Sequence, residues 1–357
     1  MTKKRWLIPI FSILAIIIVC LIITRNPIKQ KKDENSSFSS YTSDIGKIQI
    51  GCSFDSFILE RWQRDRDVFV AAATELGAEV NVQNANGSMS EQVAQIDYFI
   101  DKQVDVIVIV MVASDENTED LKAAITRAKR SGIPVVAYDR LVPDSQADLY
   151  ISFDNEEVGR LMAEHMKEHL NSEGTILQIC GPLTDNNVHQ VMNGFSQILD
   201  NSNIFISETD YSEGWQGEKG FSYTNEYLNS NTAPQGIMCG NDSIAGNAIR
   251  ALSEQRLAGS ICVVGQDADL DACQRIVEGT QCMTVYKPVE HLARRAAELS
   301  IDMAEGKDIA ITNTINDGTY DIPYECLAPI AVTKENMDEV ITGKFHEAGD
   351  IYLNVRK

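Results

Sequence analysis

The sequence predicts an α/β protein: two doubly wound parallel-sheet lobes with a cleft between them, preceded by a single transmembrane helix. Three observations predict the lobes. From Lys47 onward, strand and helix signals alternate along the chain. The strands read as near-continuous apolar runs, such as DVIVIVMV at 105–112, the pattern of a parallel sheet covered on both faces. The strand candidates are also too many for one sheet, and they divide near Ile151 into two series of similar length.

In chain order, residues 7–23 carry no charge, and with Trp6 and Thr24 they make a stretch of 19 residues, about what a bilayer span requires. No A-x-A cleavage pattern follows it; Arg25, Asn26 and Pro27 do. Residues 1–24 are therefore expected to be an uncleaved signal anchor, and the Lys-, Ser- and Asn-rich stretch 25–46 a flexible linker. Basic residues flank the span on both sides, so they do not set its orientation. The large domain is placed outside the cell because an N-terminal apolar segment usually directs export. Strands are expected at 47–54, 78–84, 105–112, 134–138, 149–153, 174–180, 204–209, 236–240, 261–265 and 281–286. Helices fill most of the intervals. In 60–76, Phe69, Ala72, Ala73 and Leu76 recur at helical spacing, and 288–304 opens on Pro288. The tail from about Thr312 returns to short strands and crosses between lobes again. The expected lobes are 47–153 plus about 286–318, and 154–285 plus about 319–357.

Several strands run into polar side chains. Asp139 and Arg140 follow 135–138, Asp185 and Asn187 follow 176–179, Asn241 follows 236–239, and Gln266 and Asp267 follow Val263 and Val264. In open α/β sheets, ligands bind outside the carboxyl ends of strands. A ring of Asp, Asn, Arg and Gln there pairs with many hydroxyls at once, as a sugar requires. Arg61 and Trp62 open the first helix directly after the first strand, and Trp215 lies in a polar, loop-like context. An indole face suits the C–H face of a pyranose, and a guanidinium fork suits adjacent hydroxyls. Trp62 is expected to be exposed in the cleft, with Arg64 and Arg66 as solvated charges on the helix.

Taken together, AYDR (137–140), YISFDNE (150–156), GQDADL (265–270) and MTVYKP (283–288) resemble the type I periplasmic sugar-binding proteins. ERWQ (60–63), NANG (84–87) and DNN (185–187) narrow the resemblance to the D-xylose-binding members, over residues 47–330. The resemblance implies a two-lobed clamp joined by three crossover strands. It also implies sugar contacts at Arg61, Trp62, Asp139, Arg140, Asp185, Asn187, Trp215, Asn241, Asp267 and Lys287, the last of these added by the resemblance alone. The chain departs from the pattern in its apolar N-terminal segment and at Ile58, where a polar or basic residue is expected.

Charge excludes one class of partner. Residues 1–46 hold 7 basic and 3 acidic residues; the remainder holds 24 and 49, so a net of +4 precedes a net of −25 within the overall −21. A domain this acidic does not bind nucleic acid, which requires phosphate neutralisation. There is no G-x-G-x-x-G after the first strand and no P-loop, so nucleotide chemistry is not expected. Asp139, Asp185 and Asp267 are read as hydrogen-bond acceptors rather than a glycosidase pair, and no catalytic residue, metal or cofactor is expected. His165 and His169 stand four apart on a helix and are read as its wet face, since the HExxH order is absent. Asp267, Asp269 and Asp271 alternate without EF-hand register; Asp269 is expected to support Asp267, and Asp271 to cap a helix. Cys52, Cys180, Cys239, Cys262 and Cys282 sit in apolar runs and read as small core residues.

The expected function is a membrane-anchored, single-pass, extracytoplasmic D-xylose-binding protein, taking D-xylose or a related aldopentose. It would close on sugar and signal to the extracellular domain of a sensor histidine kinase of a two-component system. The alternative is the receptor of an ABC-type xylose importer, with an ABC permease as partner.

Overall fold

The computed structural model describes residues 46–113, 118–200 and 202–355. The anchor and linker expected at 1–24 and 25–46 lie outside the described residues, apart from Gly46. Among the described residues no helix is long and apolar enough to cross a membrane. From Lys47 on, the chain forms one compact unit.

The first lobe is built on β1 (Gln49–Phe54), α1 (Glu60–Glu75), β2 (Glu79–Asn84), α2 (Met89–Asp101), β3 (Val106–Ile109), α3 (Glu119–Arg130), β4 (Val135–Tyr138) and β5 (Leu149–Phe153). The second holds α4 (Asn155–His169), β6 (Glu173–Cys180), α5 (Asn186–Leu199), β7 (Asn203–Tyr211), α6 (Glu218–Ser230), β8 (Gly236–Cys239), α7 (Asp242–Glu254), β9 (Cys262–Gln266), α8 (Leu270–Glu278) and β10 (Met283–Tyr286). The chain then returns to the first lobe with α9 (Val289–Ala304), β11 (Thr314–Asn316) and β12 (Asp321–Leu327). It ends in the second lobe with β13 (Ile330–Val332), α10 (Met337–Val340) and α11 (Ala348–Ile351). Every expected strand is present.

The first sheet runs β11-β12-β5-β4-β3-β1-β2 and the second β13-β10-β9-β8-β6-β7. Within each sheet β1 to β10 pair in parallel, while β11 and β13 pair antiparallel at the edges. The near-unbroken apolar strands explain this order. β3 and β4 are buried at every position, so each needs a helix layer on both faces. In the first sheet, Leu292, Ala293, Ala296 and Phe69 supply one layer, and Ile96, Phe99, Leu121 and Ile125 the other. The first sheet takes in β12, which pairs with β5. The first lobe therefore extends past the boundary expected near 318, and the third crossover falls at Ala328 and Pro329. The pattern near Thr312 announced short strands but not which sheet each would join.

In the second lobe, α4 and α5 approach closely through two glycines. A Cβ on Gly159 would stand 2.0 Å from the Val191 carbonyl oxygen, and one on Gly194 would stand 1.9 Å from that of Glu156. This contact sets the two helix N-termini, and so Asn155 and Asn187, side by side at the cleft.

Candidate functional site

Strand ends and helix starts build the site together. Asp185 caps α5, accepting from Asn187 N at 3.0 Å, and Asn241 caps α7, accepting from Ile244 N at 2.9 Å. Asp139 (φ 62°), Trp215 (φ 57°) and Asp267 (φ 101°) all hold positive φ, a conformation L side chains rarely adopt and one that collects at functional sites. The strain at Asp139 is held by three donors to its carbonyl: Tyr150 Oη (3.0 Å), Ser152 Oγ (2.8 Å) and Asn187 Nδ2 (3.0 Å). All ten residues singled out by the sequence line one cavity between the lobes. Leu59 and Gln266 complete its wall. Gln266 was visible as the last residue of its strand; Leu59 carried no signal beyond its place before Glu60. Ile58 is exposed and is not part of this wall.

Charge in the cavity is paired across the lobes. Arg61 of the first lobe donates to Asp139 Oδ1 at 2.8 Å and lies 3.6 Å from Asp267 of the second. Arg140 lies 2.9 Å from Asp185 across the cleft and donates to Asp55 at 2.5 Å. Asp55 directly follows β1, and the NANG turn supports it: Gly87 N donates to the Asp55 carbonyl at 2.9 Å. Lys287, at the second crossover, lies 2.8 Å from Asp267. Burial would raise the Asp139 carboxyl, but Arg61 and Lys287 outweigh it and hold it below the ordinary carboxylate range. Burial pushes the Asp65 carboxyl behind Arg61 up to about 6, against the pull of Arg61 and Tyr138.

Several expectations need correction. Trp62 is only 2 % exposed, because the Arg61 and Arg140 guanidinium groups cover it at 4.4 and 5.3 Å from its ring. Arg64 is not a free surface charge: it pairs with Glu290 at 2.5 Å and donates to the Phe345 carbonyl at 2.9 Å, tying α1 to the C-terminal segment. Asp271 does not cap α8; it lies within the helix and pairs with Arg275 at 2.5 Å. Asp269 takes the cap position without a capping side-chain bond.

The site presents cations and carboxylates tied to one another, two indole rings and two buried polar atoms without a partner, Trp62 Nε1 and Gln266 Oε1. Such a wall takes a small neutral polyol, whose hydroxyls can donate and accept at once, better than an ion or an apolar ligand.

Comparison with known proteins agrees with the fold. The periplasmic binding protein domain matches residues 53–308. The D-xylose-binding periplasmic protein of Haemophilus influenzae is 40% identical over 88% of this chain and 95% of its own length. That of Escherichia coli is 39% identical over 85% and 93%. An ABC transporter solute-binding protein from Clostridium phytofermentans, solved with β-D-glucose, matches with a TM-score of 0.77 at 25% identity, covering 85% of this chain and 99% of its own. A carbohydrate transporter solute-binding protein from Chloroflexus aurantiacus matches in fold with a TM-score of 0.78 at 22% identity, over 85% and 98%. These findings overturn the expected single-pass placement in the cell membrane. Both relatives near 40% identity are periplasmic proteins. Nothing among these relatives supports a sensor-kinase partner.

Proposed function

The chain belongs to the periplasmic binding protein family, and we propose that it is the D-xylose receptor of an ABC-type importer, closing on the sugar and presenting the closed form to a permease. The observation that carries the reading is the convergence of Arg61, Trp62, Asp139, Arg140, Asp185, Asn187, Trp215, Asn241, Asp267 and Lys287 on one inter-lobe cavity. D-xylose is favoured by the two relatives of that name, which match over nearly their whole length.

In this reading Arg61, Arg140 and Lys287 donate to sugar oxygens, while Asp139, Asp185 and Asp267 accept from hydroxyls. Each carboxylate already faces a cation, which fixes its charge and direction before the ligand arrives. Trp62 and Trp215 sandwich the ring. Trp215 is steered by its Nε1–H, which donates to Asp185 at 3.2 Å. Binding is favoured over hydrolysis because a glycosidase needs one carboxyl raised to act as general acid. Asp139 is instead held low, and Asp185 and Asp267 are ion-paired. Sugar touching both lobes stabilises only the closed arrangement, so binding shifts the population toward it.

Calorimetry with D-xylose, D-ribose, L-arabinose, D-glucose and D-galactose tests the ligand. Selective D-xylose binding, lost in Trp62→Ala and Asp267→Ala, is expected; no binding to any of the five overturns the proposal. Xylose-dependent association with permease subunits tests the partner, and a failure to associate overturns the importer assignment alone.

A further inference from the structure

The histidine pair read from the sequence as a wet helix face has company in the fold. His165 and His169 lie one turn apart near the end of α4, with ring centroids 6.4 Å apart. α4 packs against β9 and β10, and that contact brings Cys262, the first residue of β9, and Cys282, just before β10, beneath the two rings. One ligand atom from each of the four lies within 4.8 Å of the others. Both cysteines are free thiols, and the Cys282 sulfur stands 4.0 Å from His169 Nδ1.

We propose that His165, His169, Cys262 and Cys282 form a tetrahedral site for a thiophilic divalent cation, zinc by preference, which ties α4 to the starts of β9 and β10. Two sulfurs and two imidazoles are the donor set of a closed structural zinc site. Metal–ligand bonds of about 2.1–2.3 Å place tetrahedral donors about 3.6 Å apart, so the cluster must draw in by about an ångström. The partly or fully exposed side chains of His165, His169 and Cys282 allow that movement, while Cys262 is buried and fixed. The exposed His169 marks the way in. Glu335 adds negative charge near His165.

The site is separate from the sugar cavity. Asp267 follows β9 and Lys287 follows β10 at the cleft, whereas the cysteines stand at the opposite ends, roughly 13–17 Å away at about 3.3 Å per residue. No sequence motif announced it, because the four ligands come from three elements and the cysteine spacing matches no C-x-x-C pattern.

The test is titration of the reduced full chain with Co²⁺, followed by Zn²⁺. Expected are one Co²⁺ per chain, tetrahedral visible bands with thiolate-to-cobalt charge transfer, displacement by equimolar Zn²⁺, and a higher thermal midpoint with Zn²⁺. Cys262→Ser and Cys282→Ser each weaken binding by more than about a hundredfold, since even outer partners of metal ligands carry 10–100-fold. His165→Ala and His169→Ala alter the visible bands, and His291→Ala leaves them unchanged. Retained sugar binding in each variant shows that it is folded. Substoichiometric cobalt, an octahedral spectrum without charge transfer, or equal binding by the doubly substituted Cys262→Ser/Cys282→Ser protein overturns the proposal. So does formation of a Cys262–Cys282 disulfide in preference to the metal complex when Zn²⁺ is present in air.

Discussion

Strands β9 and β10 end in oxygen and nitrogen charge at the cleft and begin in sulfur and imidazole at the far side. At the cleft, Asp267 and Lys287 stand 2.8 Å apart, with Arg61 3.6 Å from the same carboxylate. At the far end, Cys262 and Cys282 sit beneath His165 and His169. The cleft end meets its charge within the protein and keeps spare hydrogen-bonding capacity for a neutral ligand. The far end brings four metal-ligating donors together. One pair of strands thus carries two unrelated recognition chemistries, kept apart by the length of a β-strand.

Breaking the charge balance at the cleft gives the largest expected effect. Arg140→Met strands Asp55 and Asp185, both facing it at 2.5 and 2.9 Å. Removing one partner of a buried ion pair costs about 3–5 kcal/mol, so urea unfolding should show that loss and calorimetry should show no sugar binding. A wild-type midpoint with intact binding would mean that the cross-cleft pairs contribute little.

Between the two ends lies Asp242, whose carboxyl is pushed up to about 7, chiefly by burial and against the pull of Arg275. A group that holds its proton more tightly folded than unfolded contributes stability at low pH, and the contribution fades as pH rises from about 4 to about 7. Asp242→Asn has no such proton to lose. It should gain on the wild type across that window by at most roughly 4 kcal/mol, read from urea midpoints at stepped pH. A constant difference between the two proteins would contradict the raised pKa.

The aromatic wall should respond less. Trp215→Ala is expected to weaken D-xylose binding by about 2 kcal/mol, roughly thirtyfold, with stability nearly unchanged. Gly181→Ala sharpens the point, because its Cβ would stand 2.4 Å from the Trp215 ring and displace it without removing any polar contact. A loss of roughly tenfold in affinity is expected there. The smallest effect belongs to the far end: Cys262→Ser and Cys282→Ser should each leave the D-xylose Kd within about twofold, since sites so far apart and sharing no partner act independently.

The same contrast explains what the sequence could and could not reveal. Strand ends are local, so a run such as VVAY leading into Asp139 and Arg140 marks both an element and its functional tip. That made the strands and most of the cavity wall legible. Trp62 was misjudged as exposed because part of its cover, Arg140, comes from the end of another strand 78 positions along. The metal-ligand cluster was illegible for a related reason: His165 and Cys262 become neighbours only once α4 lies across β9. The third crossover was displaced because the partly buried, irregular pattern of β12 (Asp321–Leu327) does not show which sheet it joins; only its pairing with β5 does.

Lys287 stands immediately before Pro288, at the point where the chain leaves the second sheet for the first. A residue before proline is held to extended backbone, and the 2.8 Å pair with Asp267 fixes where its ammonium points. In the proposed receptor, grip and release therefore share one mechanical coordinate, since any swing of the lobes about this connection also moves the cation relative to the sugar. A substitution at Lys287 that retunes the preferred sugar would also change how quickly the cargo is let go.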